Sequence, residues 1–211
     1  MTSDFRLELK TRLAPMLRAE GFAGSGVTFR RQTGVVIQVL TVQGSNYGDS
    51  CCINLGTHLT FLPTTMDEPP DPKNITESLC EFRRRLAPEG QSDRWWSYGS
   101  DRREASASVE DLVGLTRRLG LPFFERFREF PGAFERVTPE QLASGDFSML
   151  PGGVTAGQGA LAMARIAAHL GQASRARDFA QVGMASLGND PVAGVGIARK
   201  LAALAQDRDG A

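Results

Sequence analysis

Residues 35–43 constrain this chain more than any other stretch. Read as a strand, they send Val35, Ile37 and Val39 to one face and Val36, Leu40 and Val42 to the other. A strand that is apolar on both sides is stable only where both sheet faces are covered. Residues 27–31 precede it across a Thr33-Gly34 turn, and residues 50–58 follow the turn formers of 44–49. Connections this short favour antiparallel pairing. The expected fold is therefore α+β: an antiparallel sheet of about four strands flanked by helices, with the C-terminal helices as one source of the second cover.

Helical patterns surround the strands. Phe5, Leu9, Leu13 and Leu17 recur every four residues, Pro15 should kink or divide that helix, and Gly21 should stop it. Asn74 and Glu77 resemble a capping pair, which predicts a helix burying Ile75, Leu79, Phe82 and Leu86. Trp95, Trp96 and Tyr98 read as a strand or an aromatic lid. Ser108 and Asp111 resemble a second capping pair, and Gly120 is the expected end of that helix. Thr138-Pro139-Glu140-Gln141 combines a cap, a proline at the first helical position and a glutamine at the third.

Composition changes near residue 150. Of 24 alanines, 16 lie at or beyond Ala156, whereas only Phe179 of 16 aromatics does, so the two parts need different cores. Residues 1–150 read as an aromatic-cored α+β domain and 151–211 as an Ala-rich helical region packed on or appended to it. Pro151-Gly152-Gly153 is the expected joint. Phe123, Phe124, Phe127, Phe130 and Phe134 are expected to hold the two parts together. In the tail, Thr155 with Gln158 opens one helix, Gly171 closes it, and Asp190-Pro191 opens the last.

Charge and cysteine usage exclude several chemistries. Lys+Arg and Asp+Glu balance at 24 each, which argues against a nucleic-acid binder. No run approaches a membrane span, and Asp4 and Glu8 interrupt any secretory leader, so a cytoplasmic protein is expected. Cys51, Cys52, Cys80 and His58 are the candidate metal ligands, but adjacent cysteines in a strand face opposite ways. His58 also lies about 20 Å along an extended chain from Cys52, so neither a metal site nor a Cys–His nucleophile is expected, and no cofactor is. The arginine runs 30–31, 83–85 and 102–103 accompany two tryptophans, yet residues 81–103 carry an excess of only two positive charges. They read as a solvated face.

Gly21-Phe22, Phe29-Arg30, Gln43 with Ser45, and Ile53-Asn54-Leu55-Gly56 follow the first helix in order. Cys80, Arg83, Leu86 and Trp95-Trp96 come after them. Over residues 4–98 this pattern resembles the bacterial domain-of-unknown-function family numbered 4304. The resemblance implies a compact α+β domain without an established activity, and relatives of this look among accessory and immunity-type proteins. Gln43 and Asn54 are polar positions within apolar strands; Arg83 is placed to pair with Glu81 or Asp93 or to dock on Trp96.

The sequence thus points to a non-enzymatic cytoplasmic binding protein, immunity-like, acting through a protein partner. Gln43, Asn54, Arg83, Trp95 and Trp96 are its candidate binding residues. The rival is a small-ligand-binding protein or enzyme with a pocket near Gln43, Asn54, Arg83 and Trp96. The oligomeric state stays open.

Overall fold

The side chain of Thr2 accepts from the Phe5 amide and caps the first helix in the computed structural model, which describes residues 1–150, 155–188 and 195–206. Ser3–Glu8 (α1), a π-helical turn at Leu9–Leu13 and Ala14–Ala19 (α2) follow without a break. Pro15 lacks an N–H, and its ring would collide with the carbonyl four residues earlier. The wide turn just before it relieves both demands, and Thr11 Oγ1 donates to the Leu7 carbonyl at 3.0 Å. Pro122 is met in the same way. Arg102–Leu115 (α3) passes through a π turn at Thr116–Gly120 into Leu121–Arg126 (α4), so Gly120 does not end the helix as expected. This helix also starts earlier than Ser108 and Asp111 implied, at an Asp101 cap whose carboxylate accepts from the Glu104 amide at 2.9 Å.

Gly21 closes α2 as expected, with φ +83°. The Phe22 amide donates to the Leu17 carbonyl and the Gly21 amide to that of Arg18, the paired bonds of a Schellman end. Phe22 is thereby delivered into the core, 5.2 Å from the Phe124 ring.

The strands form one antiparallel sheet. Ala23–Ser25 (β1), Thr28–Thr33 (β2), Val36–Gly44 (β3), Ser50–Leu59 (β4) and Phe82–Arg85 (β5) lie in that order, and Trp96–Ser97 (β6) pairs with β4 beyond β5. The predicted meander is β2–β3–β4. The expected helix from Asn74 is instead a short 3₁₀ turn, Glu77–Leu79, followed by β5. Phe82 and Leu86 are four apart, which suits one face of a strand as well as a helical turn. Pairing with the free edge of β4 decides between them, and the Leu86 amide completes it by donating to the Ile53 carbonyl.

Both faces of β3 are covered from within the first unit. Register places Phe29, Leu40, Leu55 and Phe82 on an inner face with Arg31 and Gln38, and these last two bond to α4. On the outer face, Ile37 and Val39 are sealed by Ile75, Leu79 and Cys80. Gly56 makes that seal possible: a Cβ there would stand 2.8 Å from Cys80 Sγ and 3.1 Å from Glu77 Cα. His58 pins the same segment. Its Nδ1 accepts from the Glu81 amide at 2.9 Å, so the proton sits on Nε2, which donates to the Leu62 carbonyl at 3.1 Å.

Packing divides the chain into two units, Met1–Glu129 and Phe130–Ala211, twenty residues before the step in composition. Phe123, Phe124 and Phe127 fall in the first, where their rings stack edge to face or tilted, and Phe130 and Phe134 in the second. The second unit contains Pro139–Ala143 (α5), Ala156–His169 (α6), Ala173–Ser186 (α7) and Val195–Gln206 (α8). The capping boxes at Thr138–Gln141 and Thr155–Gln158 form as their sequences predict. Small residues set the spacing: a Cβ on Gly183 would lie 2.9 Å from the Ala160 Cβ and 2.8 Å from Leu201. The Pro151-Gly152-Gly153 joint and Asp190-Pro191 lie outside the described residues. No helix among the described residues is long and apolar enough to cross a membrane.

Candidate functional site

The outer sheet face changes character along its length. One end is sealed by the segment that carries Ile75 and Cys80. At the other end, cross-strand register lines up Thr28, Thr41, Asn54 and Arg85 in one row across four strands, with Gln43 opposite Cys52 in the next. Polar side chains at these positions are what a partly solvated sheet face requires.

The row is bonded into an array. Asn54 Nδ2 donates to Gln43 Oε1 at 2.5 Å and reaches Glu77 Oε1 at 3.4 Å, while Arg85 Nε donates to Asn54 Oδ1 at 3.3 Å. Arg85 Nη1 lies 3.5 Å from Asp93 Oδ2, which also accepts from Trp95 Nε1 at 3.1 Å. The guanidinium of Arg85 stands 5.3 Å from the Trp95 ring centre, a cation–π distance. Trp95 itself is 39% exposed. The array is thus an ordered, half-open surface that ends in an aromatic side chain.

Three of the five sequence-predicted residues, Gln43, Asn54 and Trp95, belong to this array. Arg83 shares the face but donates to the Ser78 carbonyl at 3.3 Å, and Arg85 takes the place expected for it beside Asp93. Trp96 is on the opposite face. It is 2% exposed and donates to Asp111 Oδ2 at 2.8 Å, and Arg94, not Arg83, lies near its ring at 5.9 Å. Adjacent strand residues point to opposite faces, so Trp95 and Trp96 could not both serve one surface. The pocket expected from Gln43, Asn54, Arg83 and Trp96 therefore does not form around those four side chains. The sequence offers no reason to place Glu77 and Arg85 here, and it sets Asp93 beside Arg83. Arg85 reaches Asn54 and Asp93 only once residues 82–85 pair with β4, which a helical reading hides.

All three thiols are buried. Burial pushes Cys51 up to about 12, helped by the neighbouring Cys52. Burial also raises Cys52, against the pull of Arg85, and raises Cys80 strongly. Burial lowers His58, partly offset by its bond to the Leu62 carbonyl, so the ring is neutral with both nitrogens engaged. Among the described residues no group of three His, Cys, Asp or Glu side chains is placed to hold a metal. The chemistry of the array is hydrogen bonding and stacking.

No curated protein and no solved structure matches the chain. A family profile described as a domain of unknown function matches residues 13–126, more than half of the sequence. The match runs past the 4–98 of the motif resemblance to take in α3 and α4, which carry Glu125 and the inner-face contacts of the sheet. The chain belongs to the DUF4304 family.

Proposed function

We propose that this protein is a non-enzymatic binding protein, immunity-like, that engages a protein partner through the open end of its outer sheet face. The observation that carries the reading is the chain of contacts from Gln43 through Asn54, Arg85 and Asp93 to Trp95. Interface hot spots favour tryptophan and arginine held in place before binding, because an ordered side chain loses little entropy on association. Asp93 holds both Arg85 and Trp95 in this way. The accessible side of the array also presents unused lone pairs and N–H groups of Gln43, Asn54 and Arg85, suited to a polar interface.

Affinity capture from the source cells tests this, with wild type compared against Arg85→Ala/Trp95→Ala. A partner retained by wild type and lost by the double variant, with circular dichroism unchanged, is the expected result. Equal capture by both proteins, or capture of nothing by wild type, overturns the proposal.

A further inference from the structure

A second site is built on the other side of the first unit, where α1 and α2 face the β1–β2 turn. A cleft of about 520 Å³ opens there, within the size range of pockets that take small ligands. Leu9, Ala14 and Val27 give it an apolar lining, and Arg6, Lys10 and Arg18 ring it with three cations. No acidic side chain lines it among the described residues. Arg18 is fixed by donating through Nη2 to the Gly24 carbonyl at 3.3 Å.

The π turn explains how these cations come together. Arg6 and Arg18 are twelve residues apart, and in an uninterrupted α-helix they would differ by roughly 120° around the axis. The π turn at Leu9–Leu13 absorbs about one extra residue, roughly 100° of rotation. That brings Arg6, Lys10, Ala14 and Arg18 close to a single line. The segment that accommodates Pro15 thereby aligns a positive stripe over an apolar floor, whereas Arg12, off this line, pairs with Glu8 at 2.8 Å.

We propose that this cleft binds an anionic amphiphile: a carboxylate or phosphate head on an alkyl or aryl body. The head lies among Arg6, Lys10 and Arg18, and the body lies against Leu9, Ala14 and Val27. An apolar floor alone would take any greasy molecule; three cations without a lining acid select a negative head and reject a positive one. The site is independent of the array around Asn54 and Trp95.

Isothermal titration with dodecanoate, dodecyl phosphate and dodecyltrimethylammonium, each below its micelle concentration, tests the proposal. One saturable site is expected for at least one of the two anions, and which anion binds identifies the head group. At least tenfold weaker binding is expected of the cationic probe. Lys10→Glu/Arg18→Glu should weaken anion binding at least tenfold. Arg117→Glu/Arg118→Glu, the same charge change on another surface, should leave it within twofold. Arg6→Gln/Lys10→Gln should give an intermediate loss and serves if the charge-reversed protein unfolds. Absence of a saturable site for both anions, equal binding of the cation, or equal loss in the Arg117/Arg118 control overturns the proposal. Arg85→Ala/Trp95→Ala should bind the anions normally, so failure here leaves the partner-binding surface unaffected and failure there leaves this cleft unaffected.

Discussion

Charge patterning makes Arg31 one of a solvated basic pair, yet its side chain is 4% exposed and joins three elements. Nε donates to Gln38 Oε1 at 2.9 Å, Nη1 to the Glu20 carbonyl at 2.7 Å and Nη2 to Glu125 Oε1 at 2.7 Å. Gln38, 1% exposed, passes the connection to the Phe124 carbonyl at 2.6 Å. Arg31→Met keeps the unbranched stem and removes only the polar head. The stranded Gln38 oxygen then costs about 1–3 kcal/mol. The Glu20 carbonyl lies at the exposed end of α2, where water replaces the lost donor. Glu125 is 45% exposed, so solvent screening limits the ion pair to less than about 1 kcal/mol. Relief of guanidinium desolvation offsets part of the total. A net loss of about 2 kcal/mol is expected, which at a urea slope of about 2 kcal/mol/M moves the midpoint down by roughly 1 M.

Tryptophan fluorescence in urea reads this directly, because both tryptophans lie in the first unit. Glu125→Gln keeps an acceptor at the same place and should cost less than about 1 kcal/mol. Burial raises the Glu125 carboxyl, but hydrogen bonds from Arg31 and Arg128 outweigh it and hold it below its ordinary 4.5. Its share of stability is therefore complete above that value and disappears as pH falls through the lower, folded one. A loss under 0.5 kcal/mol for Arg31→Met, or an equal loss for Glu125→Gln, would refute the view that the buried amide contact outweighs the ion pair.

Three further outcomes are expected. Burial lowers His58 below 6.5, so its neutral form supports folding above pH 6.5 and stability falls as pH drops from there through the folded value. The slope should approach about 1.4 kcal/mol per pH unit in urea melts, and a persistent slope in His58→Gln would contradict the assignment. Gly183→Ala gains helix propensity of about 1 kcal/mol but meets the Ala160 Cβ at 2.9 Å, so a net loss of about 1–2 kcal/mol is expected from calorimetry; an unchanged or higher Tm would refute it. Cys51, Cys52 and Cys80 are buried and their thiols are raised, so a disulfide reagent should titrate three thiols only after unfolding. Rapid reaction of any of them in native protein would count against an inert role.

Periodicity made legible those elements whose pattern admits one reading. The 35–43 strand could only be a doubly covered strand, and the Thr138 and Thr155 boxes could only be helix starts. Phe82–Arg85 reads equally as helix or strand because a spacing of four places Phe82 and Leu86 on one side of either element; only the free edge of β4 decides the matter, and an edge is a property of the assembled sheet. Half of the candidate surface was lost with it. Asn54 and Gln43 stood out as polar residues in apolar strands, while Arg85 looked like one arginine in a run of three until pairing placed it opposite Asn54.

The arginine runs show the same limit from another side. Charge patterning treats Arg30 and Arg31 as equivalent, but a strand separates them. Arg30 turns outward and donates to the Ile75 carbonyl at 2.6 Å, fastening the segment that seals the outer face, while Arg31 turns inward to Gln38 and α4. Two adjacent cations thus clamp opposite covers onto one sheet. The apolar strand at 35–43 demanded both covers, and the neighbouring arginines supply the polar ties that hold each in place. Exchanging the two side chains' environments would require shifting the register of β2 by one residue, which would also drive Phe29 out of the core. The pairing of Phe29 with Leu40 therefore fixes which arginine is buried.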